Sequence, residues 1–114
     1  MLLIRIILLT AVLFAGEDKK SELKNVQVLP FTEKADIMKY MKKTIVPELG
    51  VKCKYCHNLK DFSSDKNEHK VEAREMMRMV MHINKNIMQP MGLHEVSCWV
   101  CHRGQKHPDE NDEK

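Results

Sequence analysis

The chain has 114 residues, four cysteines, 5% aromatic residues and a formal net charge of +3. This length allows one domain and excludes a catalytic domain joined to a separate regulatory one. The weak positive charge, with no basic run interleaved with aromatic residues, argues against nucleic-acid binding. Domains this small usually need a disulfide, a metal or a cofactor for stability, which directs attention to the four cysteines.

The first fifteen residues predict a signal peptide. Arg5 precedes an apolar run in which only Thr10 is polar, and Ala15 supplies a small residue for cleavage. An uncleaved membrane anchor is the alternative, but the run is shorter than the roughly 20 apolar residues that span a bilayer. We therefore expect a periplasmic or otherwise exported protein with no stable membrane span after cleavage.

The sequence after the signal peptide divides into three parts. Residues 16–30 predict a charged leader and an extended arm, residues 31–104 the folded domain, and residues 105–114 a disordered acidic tail. No segment alternates convincingly between apolar and polar residues as a strand does, so the predicted fold class is all-α.

The first predicted helix of the domain begins at a Thr32 cap and ends at Pro47 and Gly50. Its apolar positions recur at helical spacing, so they share one face. They are Ile37, Met38, Met41 and Ile45.

The second predicted helix begins near Asp65, which has capping-box spacing to Glu68, and runs towards Met88 before Pro90 and Gly92. Its apolar stripe steps alternately by three and four residues. The stripe consists of Ala73, Met76, Val80, Ile83 and Ile87, and the opposite polar face carries Glu75, Arg78, His82 and Lys85.

Each predicted helix precedes one copy of the pattern Cys-x-x-Cys-His. The pattern is typical of c-type haem attachment, because two cysteines one helical turn apart can form thioethers to one porphyrin while the histidine reaches its iron. The sequence therefore predicts a small all-α multihaem cytochrome c with two covalently bound haem c groups. The predicted attachment residues are Cys53, Cys56 and His57 for the first haem, and Cys98, Cys101 and His102 for the second.

Three other interpretations of the cysteines are weaker. A zinc ribbon would have about 15 to 20 residues between its cysteine pairs, but 41 residues separate Cys56 from Cys98. A disulfide framework would give no reason for the two histidines. A thioredoxin-like redox motif would require a βαβ pattern, which the sequence lacks.

Each iron also needs a ligand opposite its histidine, and a methionine, a histidine or an open site would give three different proteins. Helical periodicity leaves Met38 and Met41 as candidates for the first haem. For the second haem Met76 lies on the stripe, and Met79 is a nearer rival than Met77 because it is rotated less from Met76.

Histidines offer further candidate ligands. His94 lies four residues before Cys98 and is the main alternative to methionine. His69 and His82 are expected on the solvated face of the second helix, and His107 in the tail.

Residues 25–108 resemble one haem-pair half of the tetrahaem cytochrome c subunit of photosynthetic reaction centres. The resemblance rests on Pro47-Glu48-Leu49-Gly50 before the first motif, Ala73-Arg74-Glu75-Met76-Met77-Arg78-Met79 with Ile83-Asn84 in the second helix, and His102-Arg103-Gly104. It implies that the sixth ligand is a methionine on the helix before each attachment motif. On this resemblance the ligands are Met76 and Met38.

Two departures from the family pattern have consequences. Val51 and Lys52 stand between Gly50 and the first motif, where the family goes directly from glycine to cysteine, so Met41 also stays a candidate. Pro90 stands where the family has a histidine that ligates a haem of the other pair. With one haem pair in this sequence, the photosynthetic role is not carried over.

These observations predict an exported di-haem cytochrome c that transfers single electrons and is not an enzyme, with both irons low spin and ligated by histidine and methionine. The alternative is a small haem peroxidase or nitrogen-oxide reductase component with one open iron. The expected partners are redox proteins, and a homo-oligomer stays open. An acidic partner would suit six lysines around the first motif, namely Lys39, Lys42, Lys43, Lys52, Lys54 and Lys60.

Overall fold

The computed structural model describes residues 23–108, and within this range the regular secondary structure is helical, with no β-strand. The helices are α1 (Lys34–Tyr40), α2 (Val46–Leu49), α3 (Cys53–Cys56), α4 (Glu68–Ile83) and α5 (Trp99–His102). The all-α prediction is thus confirmed for this range, in which no helix is long and apolar enough to cross a membrane. The predicted signal peptide and the last six residues of the predicted tail lie outside the described residues.

The first predicted helix is one helical rod of three parts. Helix α1 passes through a π-helical turn at Met41–Ile45 into α2, and Gly50 ends the rod in the left-handed conformation, at φ +62°. The prediction that Pro47 ends the helix is wrong, because Pro47 lies inside α2. A wide π turn just before it fits a proline, which lacks an N–H and crowds the preceding turn.

The predicted cap of the first helix is also wrong. Glu33, not Thr32, is the N-cap residue, and it makes no side-chain capping bond. The backbone carbonyl of Glu33 instead accepts the N–H groups of Asp36 and Ile37, at 3.2 and 3.3 Å, so the helix begins one residue later than expected.

Helix α4 is capped by an asparagine rather than by the predicted aspartate. The Asn67 side chain accepts the N–H of His69 at 3.0 Å and donates to the carbonyl of Tyr55 at 2.9 Å, which ties α4 to α3. Asp65 does not cap, because its carboxylate accepts from Lys70 and Arg74 on the first turns of α4. A π-helical turn at Asn84–Met88 extends α4 to its predicted end.

The described part of the chain has almost no buried apolar core. Among residues 23–108, Ile45 is the one buried apolar residue, and several large apolar side chains on α4 and α5 are exposed. Two contacts join helices that are separate in the chain: α3 packs on α4, and α2 packs on α5. Each of these contacts places an attachment motif against another helix.

Candidate functional site

Both Cys-x-x-Cys-His motifs form a single helical turn. In α3 the N–H of His57 donates to the carbonyl of Cys53 at 2.9 Å, and in α5 the N–H of His102 donates to the carbonyl of Cys98 at the same distance. This bond holds the two cysteines of each motif one turn apart beside the histidine. All four cysteines are free thiols.

The two motif histidines share one hydrogen-bonding arrangement. The Nδ1 atom of His57 lies 3.0 Å from the carbonyl oxygen of Phe62, and Nδ1 of His102 lies 2.7 Å from that of Gln105. Since a carbonyl oxygen only accepts, Nδ1 must carry the proton in both rings. In a neutral ring with this tautomer Nε2 is the unprotonated nitrogen, which is the atom that binds a metal.

Side chains outside the first motif support the loop that carries the Phe62 carbonyl. The Asp61 carboxylate accepts from the backbone N–H and the hydroxyl of Ser63, at 3.1 and 2.6 Å. The Ser63 carbonyl in turn accepts from Asn25 in the predicted arm and from Lys70 on α4, each at 2.7 Å. The His57 ring therefore depends on a loop braced from two directions.

The charge state around the motifs is dominated by partial burial. Burial raises the pKa of the Cys56 and Cys98 thiols, and nearby Glu72 and Glu48 respectively raise it further. Burial also lowers the pKa of His57, more than its hydrogen bond to Phe62 raises it. These shifts favour neutral thiols and a neutral imidazole ring in the first motif.

The predicted stripe of α4 is divided between two faces. Ala73, Val80 and Ile83 are partly buried as expected, but Met76 is 45% exposed and Ile87 47% exposed. Met88 is partly buried in place of Ile87, because the π turn after Ile83 breaks the regular steps of three and four residues.

The exposed apolar face of α4 separates its methionines. Met76 and Met79, which is 47% exposed, lie on this face, whereas Met77 is partly buried against the rest of the chain. An apolar face of this kind, continued by Ile87, suits packing against a flat apolar group. On the first rod, Met38 and Met41 are both partly buried, so exposure does not separate them.

The remaining histidines lie outside the two motifs. His82 and His94 are exposed, and His82 contacts Asn86 on its own helix. His69 is exposed as predicted, but its ring also stacks on Tyr55 of the first motif, with centroids 4.3 Å apart. Sequence spacing gives no signal for this stack, since it depends on how α3 packs against α4.

The structure brings the two motifs together through residues that sequence reasoning did not assign a role. Glu48 on α2 accepts two hydrogen bonds from the second motif and its following turn, from Trp99 and Gly104. Tyr40 lies near Cys98 and Glu48, which raise the pKa of its phenol in addition to the larger effect of burial. The first helical rod thus contacts the second attachment motif directly.

The cysteines and histidines of the two motifs could in principle bind a metal ion or a haem. Within residues 23–108, no three His, Cys, Asp or Glu side chains form a group that could hold a metal ion, so the zinc interpretation gains no site. Free thiol pairs on one helical turn, each beside an imidazole with free Nε2 and near exposed apolar faces, fit covalently bound haem. These features are typical of c-type cytochromes.

Comparison with known proteins gives the family. The chain matches the family model for the photosynthetic reaction centre cytochrome C subunit over residues 9–112, and it belongs to this family. This confirms the family resemblance drawn from the sequence motifs.

Two curated relatives match more than two thirds of the chain. Cytochrome c-554 of Chloroflexus aurantiacus is 40% identical over 82 residues, which cover 68% of this chain and 20% of that protein. The photosynthetic reaction center cytochrome c subunit of Rubrivivax gelatinosus is 29% identical over 99 residues, which cover 84% of this chain and 26% of that protein. The chain therefore spans about a fifth to a quarter of the length of these relatives.

Proposed function

We propose that the chain is an exported di-haem c-type cytochrome that passes single electrons between redox partners. The observation that carries this proposal is the matching state of His57 and His102. Each ring donates a hydrogen bond from Nδ1 to a backbone carbonyl, which leaves Nε2 available for iron. Each histidine also stands at the end of a one-turn helix with two free thiols.

The roles of the attachment residues follow from their chemistry. The two thiols of each motif would form thioethers to one haem, and the histidine would bind its iron. Haem iron supplies reversible one-electron chemistry when bound. The carbonyls of Phe62 and Gln105 fix the orientation of the two rings and increase their basicity as ligands. The attachment residues are Cys53, Cys56, His57, Cys98, Cys101 and His102.

We assign the sixth ligands to Met38 and Met76. Met76 lies on the exposed apolar face of α4, which it shares with Met79, and the family resemblance favours Met76 and Met38. Methionine ligation favours a low-spin iron with a higher potential, which suits a carrier rather than a site that activates a small molecule. Met41 and Met79 are the rivals.

Haem content and the visible spectrum of the purified holoprotein test this function. The expected result is two haems per chain by mass and by the pyridine haemochrome assay, with low-spin bands in both oxidation states. A high-spin component in the native protein would favour the enzyme alternative with an open iron. A chain without haem bands would overturn the cytochrome proposal and return the cysteines to zinc or disulfide chemistry.

We also propose that the redox partner is acidic and docks beside the first motif. The six lysines named above are exposed and form no ion pair within residues 23–108. A shallow depression of about 670 Å³ lies between the end of the first rod and the turn after α5, and three lysines line it. They are Lys52, Lys54 and Lys106.

Electron-transfer rates with an acidic flavodoxin as the probe test the docking proposal. Charge complementarity predicts a rate that falls with ionic strength, and a lower rate for Lys52→Glu and Lys106→Glu. Lys85→Glu, in the π-helical turn after α4, is the matched control and should change the rate less. A rate that is independent of salt and of all three substitutions would contradict electrostatic docking.

Export of the chain is supported by its apolar N-terminal residues and by the attachment of haem c outside the cytoplasm. We propose cleavage after Ala15. The mass of the mature protein from the periplasmic fraction tests this, and a full-length mass would overturn it.

A further inference from the structure

Glu48 connects the first helical rod to both ends of α5. Its side-chain Oε2 accepts the N–H of Trp99 at 3.0 Å, at the start of α5. Its backbone carbonyl accepts the N–H of Gly104 at 2.9 Å, just after the end of α5. Glu48 thus holds the second attachment motif at both ends, although Trp99 lies 51 positions further along the chain.

The turn after Glu48 fits closely against the turn after α5. Gly50 has a φ of +62°, and a Cβ there would overlap the carbonyl oxygen of Gly104 and lie 2.9 Å from its carbonyl carbon. Gly104 has a φ of +80°, and a Cβ there would lie 3.3 Å from the Trp99 ring. Both positions therefore require glycine for conformation, and Gly50 requires it also for space.

This contact has a consequence for the two attachment sites. Gly50 lies three residues before Cys53, and Trp99 directly follows Cys98. The hydrogen bond from the Trp99 N–H to the Glu48 carboxylate is directional, so it restricts both the distance and the rotation between the two motifs. Electron transfer between two haems falls steeply as the gap between them grows.

We propose that Glu48 is a positioning residue that fixes the second haem against the first and so sets their electronic coupling. This proposal rests on the proposed function, because it requires a haem at each motif. It concerns the reach of the carboxylate to the Trp99 N–H rather than its charge. The two properties can be separated by a matched pair of substitutions.

The test compares Glu48→Gln with Glu48→Asp in the haem-loaded protein. Glutamine loses the charge but keeps an oxygen at the same reach, whereas aspartate keeps the charge but is one methylene shorter. The readout is the Soret circular dichroism couplet, which reports the distance and orientation of two haems, together with the separation of their two midpoint potentials. Glu33→Ala removes a carboxylate at the start of α1 and serves as the control.

We expect Glu48→Gln and Glu33→Ala to keep the wild-type couplet, and Glu48→Asp to lose couplet amplitude while it retains two haems. Gly50→Ala should lose more amplitude than Glu48→Asp, since it separates the two turns. A wild-type couplet in Glu48→Asp would overturn the positioning role, and equal losses in Glu48→Asp and Glu48→Gln would overturn positioning by reach. A wild-type protein with fewer than two haems would instead overturn the proposed function, and haem content distinguishes the two failures.

Discussion

The His57 ring donates a hydrogen bond from Nδ1 to the backbone carbonyl oxygen of Phe62, at 3.0 Å. The imidazole ring of His57 also contacts the phenyl ring of Phe62, with centroids 5.1 Å apart. The partner of His102 is more local, because the Gln105 carbonyl belongs to the turn directly after α5. The orientation of the first imidazole therefore depends on a separate loop, and that of the second on its own turn.

We predict that Asp61→Ala changes the potential of one haem. Asp61 holds the loop that presents the Phe62 carbonyl through two hydrogen bonds from Ser63, and their loss should loosen the bond to His57. Redox titration should show one midpoint shifted and the other unchanged, with both irons still low spin. Asp61→Asn keeps an accepting oxygen and should behave more like the wild type. Equal shifts of both haems would contradict this local role.

The sixth ligand of the second haem is tested by Met76→Ala. Loss of the thioether should turn one haem high spin and lower its potential by part of the roughly 0.8 V over which axial ligands set haem potentials. Met79→Ala is the matched control, because Met79 lies on the same exposed face of α4, and both irons should stay low spin. The visible spectrum distinguishes the two outcomes. If both variants stay low spin, His94 becomes the better candidate.

A second pair of variants tests the ligand of the first haem. Met38 and Met41 are about 4.5 Å apart along a regular helix axis, so only one can bind the iron in a given packing. We expect Met38→Ala to produce one high-spin haem with a lowered potential and Met41→Ala to leave both irons low spin. The opposite pattern would move the ligand to the first residue of the π turn.

The sequence could predict features that depend on local chemistry. The glycine that ends the first rod and the end of the second predicted helix at Met88 were correct, because left-handed and proline-containing turns leave local signals. The two π turns were missed. The Asn67 cap was also missed, because the Asp65 carboxylate accepts hydrogen bonds from Lys70 and Arg74 instead of capping the helix. The bond from Trp99 to Glu48 joins residues far apart in sequence, so only packing of the two halves reveals it.

We predict that Asp65 makes the free energy of unfolding depend on pH in the acid range. The hydrogen bond from Arg74, followed by those from Asn25 and Lys70, holds the pKa of Asp65 well below its usual value. A folded-state pKa below the unfolded value of about 3.9 means that the contribution is fully present above that pH. It is lost as the pH falls from there through the folded-state pKa.

Urea unfolding of the holoprotein measures this effect. Asp65→Asn should be less stable than the wild type at pH 7, and the difference should shrink below about pH 4. The effect should be modest and reduced by salt, because the carboxylate is solvent-accessible. Asp36→Asn, at an exposed carboxylate in the first turn of α1, is the control. A stability difference that grows towards acid pH would contradict the sign of this argument.

Haem attachment should be required for cooperative folding. Because Ile45 is the one buried apolar residue among residues 23–108, side chains of this range alone supply little of the burial that stabilises a domain. A variant with all four cysteines replaced by alanine should keep some helix signal in far-ultraviolet circular dichroism. It should lose the near-ultraviolet signal and the sharp thermal transition, as compact states without fixed packing do.

Ile45→Ala in the haem-loaded protein is the matched comparison. Loss of this side chain should cost about 2–5 kcal/mol of unfolding free energy, yet leave a cooperative transition as long as both haems are bound. The haem-free variant should therefore lose cooperativity, whereas the core variant should lose only stability. A haem-free chain that unfolds sharply with a native-like near-ultraviolet spectrum would show that the polypeptide packs without its cofactors.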